Sequence, residues 1–122
     1  MIAAIDFDGT LCEFKYPDIG EPNEALIQYL IHTKSQGTKL ILWTCRSGQE
    51  LTNAVEWCKE RGLEFDAVNA NLLDITEKMG FKDDSRKIFA DLYVDDKAMT
   101  PNQLLFRVNM ALQAEQRIIV PG

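Results

Sequence analysis

Long hydrophobic runs are missing from this 122-residue sequence. Leu40-Ile41-Leu42-Trp43 is among the longest, far short of the ~20 apolar residues that span a bilayer. Asp6 and Asp8 interrupt the opening residues before the apolar stretch of a secretory leader can develop. Cytoplasmic residence and no membrane partner are the expectation. Positive charge is also scarce. Thirteen Lys and Arg against nineteen Asp and Glu leave a net charge of −6, which argues against general nucleic-acid binding and against a polybasic membrane patch. Cys12, Cys45 and Cys58 are odd in number and follow no Cys-x-x-Cys spacing, so neither a zinc site nor a full disulfide framework is indicated. They read as three reduced thiols, partly in the core. His32 sits on a predicted helix with no metal-ligand partner in sequence, which points to a structural or solvent role. No internal repeat, linker or low-complexity segment occurs.

What is present is ordinary for a globular domain: 46% apolar and 26% charged residues. The length is below the ~150 residues of a one-domain prior, so residues 1–122 read as a single domain. A chain of this size can bury a core without disulfide staples. The apolar run from Met1 to Ile5 ends abruptly in Asp6-Phe7-Asp8-Gly9-Thr10, which suggests a buried strand delivering polar residues into a turn. Residues 12–22 carry two prolines and a glycine and read as an irregular loop or a small hairpin. Asn23 can cap a helix whose apolar face is Ala25, Leu26, Tyr29 and Leu30, closed by Gly37. Lys39–Thr44 is nearly all apolar, as expected of a strand covered on both faces. Ser47 and Gly48 open a second helix with Leu51, Ala54, Val55 and Cys58 on one face and Gly62 as its stop. Glu64–Val68 is a third strand, Leu72–Met79 a short helix, and Leu92–Val94 a fourth strand ending in Asp95-Asp96. Thr100-Pro101 opens the last helix, whose expected core face is Leu104, Leu105, Val108, Ala111 and Leu112. Strands alternating with helices predict an α/β domain, a Rossmann-like three-layer sandwich around a parallel sheet of four to five strands.

In such sheets, ligands bind outside the carboxyl ends of the strands. The residues at those ends are Asp6 and Asp8; Thr44, Cys45 and Arg46; Asn69 and Asn71; and Asp95 and Asp96. Lys87 lies eight positions before Asp95. Several carboxylates on one rim repel one another and resist ionisation, a conflict that a hard divalent cation removes. Magnesium prefers oxygen ligands and commonly works with phosphates. Carboxylates, a hydroxyl, an ammonium and such a cation around one point describe phosphoryl transfer.

Asp6-Phe7-Asp8-Gly9-Thr10-Leu11 resembles the first motif of the haloacid dehalogenase (HAD) superfamily of phosphohydrolases. Thr44 after Leu40–Trp43 resembles the second and Lys87 the third, in the arrangement Lys-x-x-Ala-Asp-x-Tyr-x-Asp-Asp of small members. Val94-Asp95-Asp96 resembles the fourth. The motifs appear in the family's order and span residues 2–96. The resemblance implies a phosphomonoester hydrolase with a HAD-like fold. Asp6 would be the nucleophile that forms an aspartyl-phosphate, and Asp8 the acid and base. Mg2+ would be held by Asp6, the Asp8 carbonyl and Asp95, with Asp96 direct or through water. Thr44 would donate its hydroxyl to a phosphoryl oxygen, Lys87 would offset charge, and Gly9 would let the backbone approach closely. Gly9, Cys45, Arg46, Asn69 and Asn71 are the candidate substrate contacts. Arg46 is either an anion clamp or the partner of a helix carboxylate. Asn69 and Asn71 either face the site or serve turns. Lys82 and Arg86 compete with Lys87 for the third-motif role, and Asp83-Asp84, with no apolar strand before it, reads as a solvated loop.

Residues 11–38 and 47–86 hold little beyond the expected crossovers, so neither houses the cap domain that many HAD enzymes carry. A capless site leaves two routes to selectivity: a large phosphorylated substrate, or a homo-oligomer covering the open site. Phe14 and Tyr16 in the loop at 12–22 are either lid groups or aromatics tucked onto the core. Transfer to an acceptor other than water is an alternative reading. A receiver-type signalling module gathers the same residue types in a different order, with its acidic pair after strand one, and fits poorly.

Overall fold

The computed structural model describes residues 1–80 and 84–119, with the side chains of 115–119 left aside. Four parallel strands form one sheet: β1 (Ile2–Ile5), β2 (Lys39–Leu42), β3 (Ala67–Val68) and β4 (Leu92–Val94), in the order β3-β2-β1-β4. Between them run α1 (Glu24–Ser35), α2 (Gly48–Glu60) and α3 (Leu73–Met79), and α4 (Pro101–Ile119) follows β4. This is the small α/β fold that the alternation of elements predicts.

Both faces of the central strands are apolar because both are covered. Ala3, Ile5, Leu40 and Leu42 point to one side, where they pack with Ile27 and Leu30 of α1 and Ala54 and Cys58 of α2. Ala4 and Ile41 point to the other, against Leu72, Ile75 of α3 and Ile88. That alternation is the period-2 geometry of a strand, and it explains why β2 reads as an unbroken apolar run. Among the described residues, no helix is long and apolar enough to cross a membrane. Cys12 and Cys58 are buried, Cys45 is exposed, and all three are free thiols.

The helix ends follow local chemistry. The Asn23 carboxamide oxygen accepts the Leu26 N–H at 3.2 Å, and its Nδ2 donates to the Thr10 carbonyl at 3.3 Å. The cap thereby ties α1 to the turn after β1. Helix α2 ends as its glycine indicates: the Leu63 N–H reaches back to the Cys58 carbonyl and Gly62 adopts φ +84°, a left-handed exit.

Three expectations need correction. The third strand is two residues long rather than five, because the Asp66 carboxylate takes the Leu40 N–H at 2.8 Å in place of a ladder carbonyl. Asp84 is exposed but is no idle loop carboxylate: it accepts the backbone N–H and, at 2.6 Å, the Nδ2 of Asn71. Asp83 and Lys82 lie outside the described residues. The largest difference is α4. Leu104, Leu105, Val108, Ala111 and Leu112, read as its core face, are all exposed. Among the described residues the sheet ends at β4, so the helix leaving that strand has no further strand to cover.

Replacing Asn23 with alanine should lower unfolding stability by about 1–2 kcal/mol, since the substitution removes a helix cap. The midpoint of chemical denaturation reads this directly; an unshifted midpoint would show that the cap contributes nothing.

Candidate active site

Strand β1 sets the site. Continuing its alternation, Phe7 turns inward, fully buried and edge-on to Trp57 with ring centroids 5.5 Å apart. The flanking Asp6 and Asp8 therefore emerge on the opposite side. The Phe7 carbonyl then accepts from both Thr10 and Leu11 N–H groups, closing a tight turn. Pairing of Ile5 with Val94 lays the end of β4 beside the end of β1, and the Asp6 N–H donates to the Val94 carbonyl at 2.9 Å. Carboxylate oxygens of Asp6, Asp95 and Asp96 consequently lie within 4.8 Å of one another. They line an open cavity of about 460 Å³ together with Asp8, Phe14, Tyr16, Thr44, Cys45, Arg46 and Lys97.

Such crowding has an electrostatic signature. The Asp6 carboxyl is pushed up from its ordinary 3.8 to about 6, first by partial burial and then by the neighbouring charge of Asp95. The Phe7 N–H and the Thr10 hydroxyl pull the other way, and Asp96 adds to the rise. An all-oxygen donor set with mutually repelling charges suits a hard divalent cation.

Thr10 is the residue that reading the sequence left without a role. Its hydroxyl donates to Asp6 at 3.2 Å and accepts the Asp96 N–H at 3.1 Å, bridging the two acidic strand ends. The only signal in sequence was a hydroxyl four positions after Asp6. Gly9 serves the same junction: it has φ +82°, and a Cβ there would collide with the Asp96 carboxylate. It sits behind the acidic cluster and does not line the cavity.

Arg46 is an ion-pair partner, not an open anion clamp. Its residue surface is only 2% exposed, and its Nε and Nη2 hold the Asp8 oxygens at 2.8 and 2.7 Å. The remaining donors bind the carbonyls of Pro17, Asp18 and Glu50, and the guanidinium lies 5.0 Å from the ring centres of Phe7 and Tyr16. With its fork committed, Arg46 fastens both the Asp8 carboxylate and the loop at 12–22. The Asp8 side chain is thereby held on Arg46, and the acidic group that comes together is Asp6, Asp95 and Asp96. That loop is a small hairpin, with the Glu13 N–H on the Glu21 carbonyl. Phe14 and Tyr16 are 62% and 51% exposed and stand at the cavity rather than on the core.

Thr44 lines the cavity as expected. Its hydroxyl oxygen accepts the Arg46 N–H at 3.1 Å, which leaves the hydroxyl proton free to donate. Asn69 does not face the cavity: in a left-handed conformation (φ +51°), its Oδ1 accepts the Thr44 N–H at 2.8 Å. Asn71 is further away, buried, and accepts the Phe89 N–H while donating to Asp84 and Ser85. It braces a loop junction and contacts no site residue. Lys87 also falls outside the cavity. Its Nζ lies 5.5 Å from the Tyr93 ring centre, in a neighbouring groove that shares Asp95. Lys97 is the lysine that does line the cavity, its Nζ 5.4 Å from the Phe14 ring centre. Adjacency to Asp95-Asp96 was its only sequence signal.

The fold and site together define a small parallel α/β protein with an acidic cluster at adjoining strand ends. No family model matches the chain, and no curated protein matches it. Among solved structures, it is similar to the conserved protein coded by a locus of Bacteroides thetaiotaomicron. The TM-score is 0.71 and the identity 35%, over 99% of this chain and 98% of that one. The chain belongs to the family of that conserved Bacteroides thetaiotaomicron protein.

The raised pKa of Asp6 has a consequence for stability in the absence of metal. A carboxyl that binds its proton more tightly when folded is neutral in both states below 3.8 and penalises the folded state once pH rises through about 6. Asp6→Asn should therefore melt later than the parent chain at pH 7–8 in EDTA, and the gap should close as pH falls towards ~4. A gap independent of pH would show that carboxylate repulsion is not its source.

Proposed function

We propose that this chain is a magnesium-dependent phosphomonoester hydrolase, a capless member of the haloacid dehalogenase superfamily working through an aspartyl-phosphate on Asp6. The observation that carries the reading is the meeting of Asp6, Asp95 and Asp96 with the Thr44 hydroxyl in one open cavity. Chain order and residue types match the four motifs, and no segment between the strands is large enough to form a cap: β1 and β2 are separated by a hairpin and α1, β2 and β4 by α2, β3 and α3.

The proposed steps are divided among residues at the strand ends. Asp6 attacks phosphorus in line, its carboxylate oriented by Thr10. Asp8 is the acid and base: both its oxygens are on Arg46 here, so it would turn from that fork and take up a solvent proton, give it to the leaving oxygen, and then take a proton from the water that releases phosphate. Thr44 donates to a phosphoryl oxygen. Asp6, Asp95, Asp96 and the Asp8 carbonyl would hold Mg2+, which supplies positive charge that keeps Asp6 ionised and offsets phosphate charge. The lysine role lies between Lys87, which would have to turn from Tyr93 towards Asp95, and Lys97 at the cavity mouth. The substrate is a phosphorylated compound reaching an uncovered site. The three free thiols suit a reducing compartment, and we assign the enzyme to the cytoplasm.

In a phosphate-release assay, activity should depend on added Mg2+ and vanish with EDTA. Asp6→Asn should abolish turnover, while Asp8→Asn should lower it by ~10²–10⁴-fold. Of Lys87→Ala and Lys97→Ala, the variant with the larger loss in kcat identifies the lysine. Turnover by Asp6→Asn at the parental rate, or by metal-stripped protein, would refute the mechanism.

An open site holds few groups that recognise a leaving group and admits bulk water. Small esters such as p-nitrophenyl phosphate should be hydrolysed slowly. Phe14→Ala or Tyr16→Ala should alter the ranking of substrates by kcat/KM more than the melting temperature, because both rings are exposed. Early unfolding with an unchanged ranking would mean that the rings serve only packing.

A further inference from the structure

Every residue of helix α4 from Pro101 to Ala114 is exposed, yet Leu104, Leu105, Val108 and Leu112 form one apolar stripe. Asn102, Asn109 and Gln113 lie on the opposite side, interspersed with Phe106 and Met110, and Arg107 is the one charged residue in that stretch. A stripe of this kind belongs against another layer rather than in water. Beside it, the free edge of the sheet leaves an equally uncovered surface. A groove of about 610 Å³ runs along β4, lined by Trp43, Leu92, Tyr93 and Met99 with Asp91 and Asp95 at its polar end. Thr100 and Gln103, at the start of α4, touch this groove. The rest of the 19-residue helix, about 28 Å long in all, runs beyond it.

We propose that two copies of this chain form a two-fold dimer in which α4 of each copy docks along the β4 groove of the other. The same chain carries both halves of the contact, helix and groove, and among the described residues neither is covered within one copy. Reciprocal exchange about a two-fold axis covers both at once. The area is sufficient. At roughly 100 Å² per apolar side chain, the four of the stripe with Leu92, Tyr93 and Met99 come to about 700 Å², close to the ~800 Å² that each partner of a stable interface buries. Charge is compatible as well: the only charge on the docking stretch is the positive Arg107, and the groove, with Lys87, Asp91 and Asp95, is negative by one. Because Asp95 lines both groove and active-site cavity, the partner's helix stands at one wall of the site's mouth.

Sedimentation velocity on the full chain at tens of micromolar should give twice the chain mass. Val108→Glu in the helix and Leu92→Glu in the groove should each give monomers with unchanged circular dichroism. Mixed, they should regain dimers, because the Leu92→Glu copy keeps an intact helix and the Val108→Glu copy an intact groove. Should a variant misfold, hydrogen exchange on the unmodified chain decides: amides of both α4 and β4 should gain protection as concentration rises. A monomeric parent chain would overturn the proposal and leave α4 to fold back on its own groove. So would a dimeric Leu92→Glu, or protection confined to α4, either of which would mean that helix pairs with helix.

Discussion

The parallel pairing of β1 with β4 is the contact on which the rest of the site depends. Its register sets Ile5 beside Val94, so the chain continues past both strands at one place, and both continuations are acidic. No pair of adjacent residues in sequence could produce the same cluster, because Asp6 and Asp95 are 89 positions apart. The apolar residues of β1 and β2, buried on both faces, supply the hydrophobic stabilisation that holds like charges together. Partial burial and, after it, repulsion from Asp95 work against the fold, and together they raise the pKa of Asp6.

Around that contact, the polar groups fall into two sets that do not overlap. Thr10 and Gly9 serve the acidic junction: the hydroxyl bridges Asp6 and Asp96, and the missing Cβ makes room for the Asp96 carboxylate. Arg46 and Asn69 serve the other rim, where Arg46 holds Asp8 and the hairpin, and Asn69 fixes the backbone of Thr44. Asp6 and Asp8 thus stand two residues apart in different surroundings, one among carboxylates and one against a guanidinium.

The far edge of the sheet obeys a different constraint. β3 is stopped by Asp66, whose carboxylate replaces a ladder acceptor. β4, at the opposite edge, has half-exposed apolar side chains and is followed by a helix that none of its own strands covers. An edge of this kind is open to another chain, and it adjoins the site through Asp95.

The sequence by itself determined the alternation of strands and helices, the caps at Asn23 and Gly62, and the carboxylates at the ends of β1 and β4. These are set by local chemistry: side-chain period, turn residues and the rule that sheet ligands gather at strand ends. Tertiary structure alone decided which polar residues face the cavity. Arg46, Asn69 and Asn71 bear groups that suit either a ligand or a backbone partner, and only the approach of Asp8, Thr44 and Phe89 shows that partners within the chain occupy them. Lys87 and Lys97 are indistinguishable as lysines near an acidic pair, and the direction of the chain after β4 put Lys97 at the cavity. The apolar period of α4 was legible as a helix, but periodicity records only that a face must be covered. What covers it depends on where the sheet ends, and that is a property of the whole fold.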